Sequence, residues 1–165
     1  METLLPIAAR AGALLKARSE TVAVGESATG GLVAAALLAV PGASVYFLGG
    51  GVLYTRAARS TLFGIPVETL RSTPGASEAM AVLLAEGART RLGAVWGLGE
   101  AGAAGPSGNS YGHHAGHGVF AVAGPVSRAG TIETGHGDRV GNMRRFSEAL
   151  LQMLVACLEA APPQK

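Results

Sequence analysis

The chain has 165 residues, a formal charge of +2, 48% apolar residues and only 15% charged ones. That length suits one domain with one core across residues 1–165, and the apolar share excludes a disordered chain. No lysine or arginine stripe is present and aromatics are 5%, so nucleic acid is not an expected partner; so few charges point instead to surface buried in a homo-oligomer.

Alanine (31) and glycine (25) make up a third of the residues, and arginines (eleven) far outnumber the two lysines, Lys16 and Lys165. The lone Cys157 excludes an internal disulfide and a cysteine zinc site, and it sits in an apolar helical run as a buried thiol. The start, Met1-Glu2, does not read as a secretory signal, and no apolar run nears the ~20 residues of a membrane span. A cytoplasmic protein with no membrane partner is expected.

In chain order, residues 3–18 carry apolar residues at helical spacing, with Pro6 tolerated in the first turn. Thr21–Gly25 reads as a short strand, and Leu32–Val40 as a helix stopped by Pro41-Gly42. Val45–Tyr54 reads as a strand with a central triple glycine. Thr55 caps a helix over Arg56–Phe63, closed by Gly64 and Pro66. Ser77 caps a long helix to about Arg91, and Ala94–Leu98 reads as a buried strand. A Gly/Ser/His-rich loop is expected over Gly99–Gly116. Two strands, Val119–Ala123 and Gly130–Thr134, precede a last helix over Asn142–Ala160 and a frayed APPQK end. Helices alternating with short apolar strands predict an α/β fold: three layers, a mostly parallel sheet with helices on both faces, in a single domain.

Five places can carry chemistry. Gly25-Glu26-Ser27-Ala28-Thr29-Gly30-Gly31 follows a strand and opens a helix. Its glycines admit a ligand to the backbone, and the helix N-terminus suits a phosphate or carboxylate; an ordinary turn capped by Ser27 or Thr29 reads equally well. Ser44, after Pro41-Gly42-Ala43, is a nucleophile if a base lies near and otherwise a turn residue. Tyr54 at a strand end and Arg59 one helical turn further face one cleft, or belong to a solvated helix face. The loop holding His113, His114 and His117 is a lid or substrate loop; flexible glycines and the lack of a nearby carboxylate argue against a metal. Asp138 can cap the last helix, and Arg139, Arg144 and Arg145 can clamp a phosphate or form surface ion pairs.

The set GESATGG (25–31), PGAS (41–44), YFLGGGVLYTRAAR (46–59), PGASE (74–78), AGAAGPSGN (101–109) and GDRVGNMRR (137–145) resembles, in order and spacing, the CinA C-terminal domain family. The likeness runs from about Leu4 to Leu158. Members that act as hydrolases are nicotinamide-nucleotide amidases. The resemblance implies a cytoplasmic, oligomeric α/β domain that hydrolyses the carboxamide of nicotinamide mononucleotide to nicotinic acid mononucleotide and ammonia. No metal and no cofactor are implied. In the family reaction a lysine deprotonates a serine, which attacks the amide carbon while backbone N–H groups hold the oxyanion. By resemblance the nucleophile falls on Ser44, the tyrosine on Tyr54 and the lysine position on Arg59. The phosphoribosyl part falls to Ser27, Thr29, Gly30, Gly31, Gly105 and Arg139, with Arg144 or Arg145. Two-domain family members exist; a chain that opens at the first helix is not expected to carry the other domain's activity.

The departures from the family pattern cluster at the chemistry. Arginine at position 59 stays protonated at neutral pH and makes a very poor base. Ala28 stands for the family cysteine, Ala101 for a hydroxyl, and His113–His117 for a lysine-containing stretch. Three outcomes follow: a loop histidine acts as a displaced base for Ser44, the site binds a nucleotide without turnover, or the domain persists as an oligomeric scaffold.

Overall fold

Three helices begin where the sequence offers a cap. Thr55 Oγ1 accepts the Ala58 N–H at 3.1 Å, Ser77 Oγ accepts that of Met80 at 3.2 Å, and Asp138 Oδ1 accepts that of Gly141 at 3.1 Å. The computed structural model describes residues 1–162; the expected frayed end continues into 163–165, which lie outside the described residues. In chain order the elements are α1 (Leu5–Arg18), β1 (Val22–Glu26), α2 (Leu32–Leu38), a 3-10 turn (Ala43–Val45), β2 (Phe47–Val52) and α3 (Arg56–Phe63). There follow α4 (Val67–Ser72), α5 (Glu78–Leu92), β3 (Trp96–Ala103), β4 (His117–Ala123), β5 (Arg128–Glu133) and α6 (Arg139–Ala160).

The five strands form one sheet in the order β2-β1-β3-β4-β5. β1 runs parallel to β2 and to β3, whereas β3–β4 and β4–β5 are antiparallel. The sheet is therefore mixed rather than mostly parallel. The reason is the connections: helices carry the chain between the parallel strands, but only a loop joins β3 to β4 and only a turn joins β4 to β5. Helices do cover both faces. α1, α2 and α6 pack on Val22, Val24, Trp96, Leu98 and Phe120, while α5 packs on Ala101, Val119 and Ala121. Two glycines let α5 lie against β3: a Cβ on Gly97 would fall 2.0 Å from Ala85 O, and one on Gly99 equally close to Ala81 O.

Some boundaries differ from expectation. β3 continues to Ala103, through what reads as loop, because Ala103 pairs with His117 of β4. The residues before β2 form a 3-10 turn after Gly42, whose φ of 83° reverses the chain there. α4 is too short to show a period in the sequence. Trp96 is fully buried, and its Nε1 donates to Glu20 Oε2 at 2.6 Å, beside the Arg18–Glu20 ion pair. Among the described residues, no helix is long and apolar enough to cross a membrane.

Candidate functional site

β1 and β3 end side by side, and each contributes a buried glutamate at that end. The Glu26 carboxylate folds back over the start of α2. Its Oε1 accepts the Ala34 N–H at 2.8 Å; its Oε2 accepts those of Gly31 at 3.0 Å and Val33 at 3.1 Å. Glu100 Oε2 accepts the N–H groups of Ser27 at 3.0 Å and Thr29 at 2.9 Å. The Thr29 hydroxyl lies between the two carboxyls, 2.7 Å from Glu26 and 2.8 Å from Glu100. Glu100 Oε1 is buried with no partner. Burial pushes the Glu100 carboxyl up to about 7, against the lowering pull of the Thr29 and Ser27 N–H groups. A carboxyl with one fully bonded oxygen and one orphan is suited to holding a proton on the orphan.

This network answers the expectation for the glycine-rich turn. Its donors from Ser27, Thr29 and Gly31 are engaged by the protein's own carboxyls, and Gly30 N–H bonds back to Ser27 O at 3.3 Å. The turn has the geometry of an anion site and is already filled from within. A phosphate finds no free backbone N–H at Ser27, Thr29, Gly30 or Gly31.

Arg59 is buried and forked. Its Nε donates to Leu53 O at 3.1 Å and its Nη2 to Ser27 Oγ at 3.3 Å. Burial lowers its pKa from the ordinary value, while Tyr111 and Glu100 pull the other way. It remains a cation at neutral pH and is a donor, not a base. The serine it meets is Ser27, not Ser44. Ser44 lies in the 3-10 turn before β2, exposed, whereas Tyr54 and Arg59 lie beyond the other end of that strand. Six strand residues separate them by ~20 Å. Within one chain the expected grouping of Ser44 with Tyr54 and Arg59 is therefore not formed, because β2 stands between them.

A cleft of about 280 Å³ opens beside the Ser27 turn, lined by Ala28, Tyr54, Ala104, Gly105, Asn109 and Arg139 among others. Tyr54, Gly105 and Arg139 thus line one cleft. Arg139 Nη1 donates to Gly105 O at 2.6 Å, and Asn142 Nδ2 donates to Ala104 O and His136 O, each at 2.8 Å. These side chains staple the start of α6 to the loop after β3. Arg145 does not line the cleft; it pairs with Glu148 at 2.8 Å along the exposed side of α6. Arg144 is exposed as well.

The histidine loop is knit together rather than open. Asn109 Oδ1 accepts the N–H groups of Tyr111 at 3.0 Å and His113 at 3.1 Å. The rings of His113 and His117 stack at 3.8 Å, and His117 is held between Glu133 and Ala76 O. Both His117 nitrogens are engaged, and these histidines lie at the sheet end opposite Ser44, so none is placed as its base. No group of three or more His, Cys, Asp or Glu side chains poised to hold a metal occurs among the described residues.

Sequence reasoning missed Glu26, Glu100 and Asn142. Two of them carry a signal. Glu26 is the only Asp, Glu, Lys or Arg between Glu20 and Arg56, and Glu100 the only one between Arg91 and Arg128. A lone charge inside a long apolar or glycine-rich run has to be paired or neutral once buried.

The comparisons agree with this architecture. The family model for the CinA C-terminal domain matches residues 5–158. A CinA-like protein of Anaeromyxobacter sp. (strain K) is 44% identical over 142 residues, 86% of this chain and 35% of that protein. A CinA-like protein of Prochlorococcus marinus is 47% identical over 112 residues, 68% of this chain and 26% of its own length. The chain thus spans about a third of the curated relatives it matches. Among solved structures, the competence damage-inducible protein A (ComA) of Klebsiella pneumoniae superposes with a TM-score of 0.89 at 26% identity, covering 95% of this chain and 98% of that one. The competence/damage inducible protein CihA of Agrobacterium tumefaciens gives 0.85 at 29% identity, covering 94% and 95%. The chain belongs to the CinA C-terminal domain family.

Proposed function

We propose that the cleft takes a pyridine mononucleotide of the nicotinamide type, and that the amide hydrolysis associated with this plan is weakened in this chain. The observation that carries the reading is the Arg59 fork: a buried guanidinium donating to Ser27 Oγ and Leu53 O at the family's lysine position. Amide hydrolysis through a serine needs a group that takes the hydroxyl proton as the Oγ–carbon bond forms, then returns it to the departing ammonia. A guanidinium cannot take that proton. It can hold the serine oxygen and favour negative charge on a ligand in the neighbouring cleft. The pocket walls fit such a ligand: Tyr54 offers an aromatic face, and Arg139 a cation next to the backbone at Gly105.

A second reading, ligand binding without turnover, draws on the same fork. A pure scaffold role is disfavoured by the open cleft. The test is ammonia release from nicotinamide mononucleotide by the parent chain, Arg59→Lys, and Arg59→Lys combined with Ser27→Ala or Ser44→Ala, with a thermal-shift titration beside it. The expected result is slow or absent release by the parent, a thermal shift with the nucleotide, and a gain in Arg59→Lys that one serine variant abolishes. No thermal shift in the parent and no gain in Arg59→Lys would overturn the reading.

A further inference from the structure

We infer that the cleft selects the carboxylate form of a pyridine mononucleotide over the carboxamide form, with Arg59 as the residue that tells the two apart. The inference rests on the mononucleotide reading above and narrows it to one ligand class.

Two hydrogen bonds leave the Arg59 guanidinium with donors to spare. Nε serves Leu53 O and Nη2 serves Ser27 Oγ. Nη1 has no partner among the described residues, and it is not one of their buried orphan atoms, so it reaches the surface. Each acceptor stands one residue before a residue that lines the cleft: Ser27 precedes Ala28, and Leu53 precedes Tyr54. The guanidinium therefore backs the wall that Ala28 and Tyr54 form, and Ala28 brings only a methyl group to cover it. Arg139 is a second cation on the opposite wall, beside Gly105. Arg56, three residues before Arg59 on α3, donates to the Tyr111 hydroxyl at 3.3 Å.

No carboxylate offsets these cations. Five other arginines pair with glutamates, whereas Arg56, Arg59 and Arg139 pair with none among the described residues. Glu100 pulls on Arg59, but its bonded oxygen serves the Ser27 and Thr29 N–H groups and forms no ion pair with the guanidinium. Unpaired guanidiniums on both walls suit a ligand with an anion at each end. A phosphate that meets Arg139 leaves Arg59 to the substituent on the pyridine ring.

The donor count decides what that substituent is. A guanidinium carries N–H donors and no acceptor. A carboxylate answers it with two acceptor oxygens and a full charge. A carboxamide offers one acceptor, and its NH2 group sets donors against donors. A lysine amine can lose its proton and then accept; Arg59 cannot. The pyridinium ring is cationic in both forms and meets the same Tyr54 face, so the ring does not discriminate.

The test is calorimetric titration of the parent with nicotinic acid mononucleotide, nicotinamide mononucleotide, nicotinic acid and ribose 5-phosphate, with ammonia assayed beside it to show that the amide stays intact. The acid mononucleotide is expected to bind about tenfold or more tightly than the amide, and each fragment more weakly than the whole. Arg59→Gln should bring the two mononucleotides to parity by weakening the acid. Arg139→Ala should weaken both alike and keep their ratio. The parent ratio needs no variant, so it decides the matter even if Arg59→Gln fails to fold. Equal affinities in the parent, or tighter binding of the amide, overturn the inference while the mononucleotide reading stands. So does an acid preference that Arg59→Gln retains with its thermal unfolding intact. Binding of neither mononucleotide overturns both.

Discussion

The two walls of the cleft are held in opposite ways. On the Ser27 side, backbone N–H groups are satisfied by the buried carboxyls of Glu26 and Glu100. On the Gly105 side, backbone carbonyls are satisfied by side-chain donors, Asn142 and Arg139. The first wall rests on buried acids and so depends on protons. The second is partly exposed and rests on an amide and a guanidinium, which no ordinary pH alters. The lesson is that one pocket can be braced on one side by groups that titrate and on the other by groups that do not, so that pH loosens only the first.

Removing the strongest brace breaks this comparison most severely. Glu26→Ala strips acceptors from three N–H groups at the start of α2 and from the Thr29 hydroxyl. It is expected to lower stability by about 3 kcal/mol or more in urea unfolding. Next comes proton dependence. A carboxyl raised to about 7 from its usual 4.5 binds an extra proton in the folded state. Its stabilising share is present in full below about 4.5 and is lost as pH climbs through about 7, a swing of up to about 3 kcal/mol. Unfolding measured across that window should show the decline, and Glu100→Gln should flatten it. A parent with flat stability over the window would place the charge on Glu100 after all. On the other wall, Asn142→Ala leaves two carbonyls without their donor and should cost about 2 kcal/mol by thermal unfolding, with little change of slope in the same pH window. The smallest effect is expected from Arg145→Ala, which loses only an exposed i,i+3 pair, about 0.5 kcal/mol or less, and leaves ligand affinity as in the parent. Arg139→Ala should weaken ligand binding instead.

Legibility in the sequence followed the physics of each feature. Helix starts at Thr55, Ser77 and Asp138 were readable because a cap is a local event between residues three apart. The tail of β3 was not, since Glu100–Ala103 lacks β-branched residues and is a strand only by pairing with β4. The sheet's mixed sense was lost with it. At the site, Tyr54, Gly105 and Arg139 were named separately, through the family resemblance, and the structure sets the three on one cleft. The placement of Ser44 beside Arg59 failed because a motif read along the chain says nothing of the strand between its parts. Glu26 and Glu100 went unread as a pair because 74 positions of sequence hide a meeting that only parallel neighbours β1 and β3 create.

Trp96 gives the molecule an optical reporter of its own. It is the only tryptophan, sealed in the central strand with its indole N–H tied to Glu20. Its emission should lie to the blue in the native state and move red only when the central strand comes apart. It faces the α1/α6 side of the sheet rather than the cleft. A ligand that enters the cleft should leave its colour unchanged while raising the temperature at which that colour shifts. One fluorescence trace therefore separates occupancy, which moves the midpoint, from distortion of the core, which moves the wavelength.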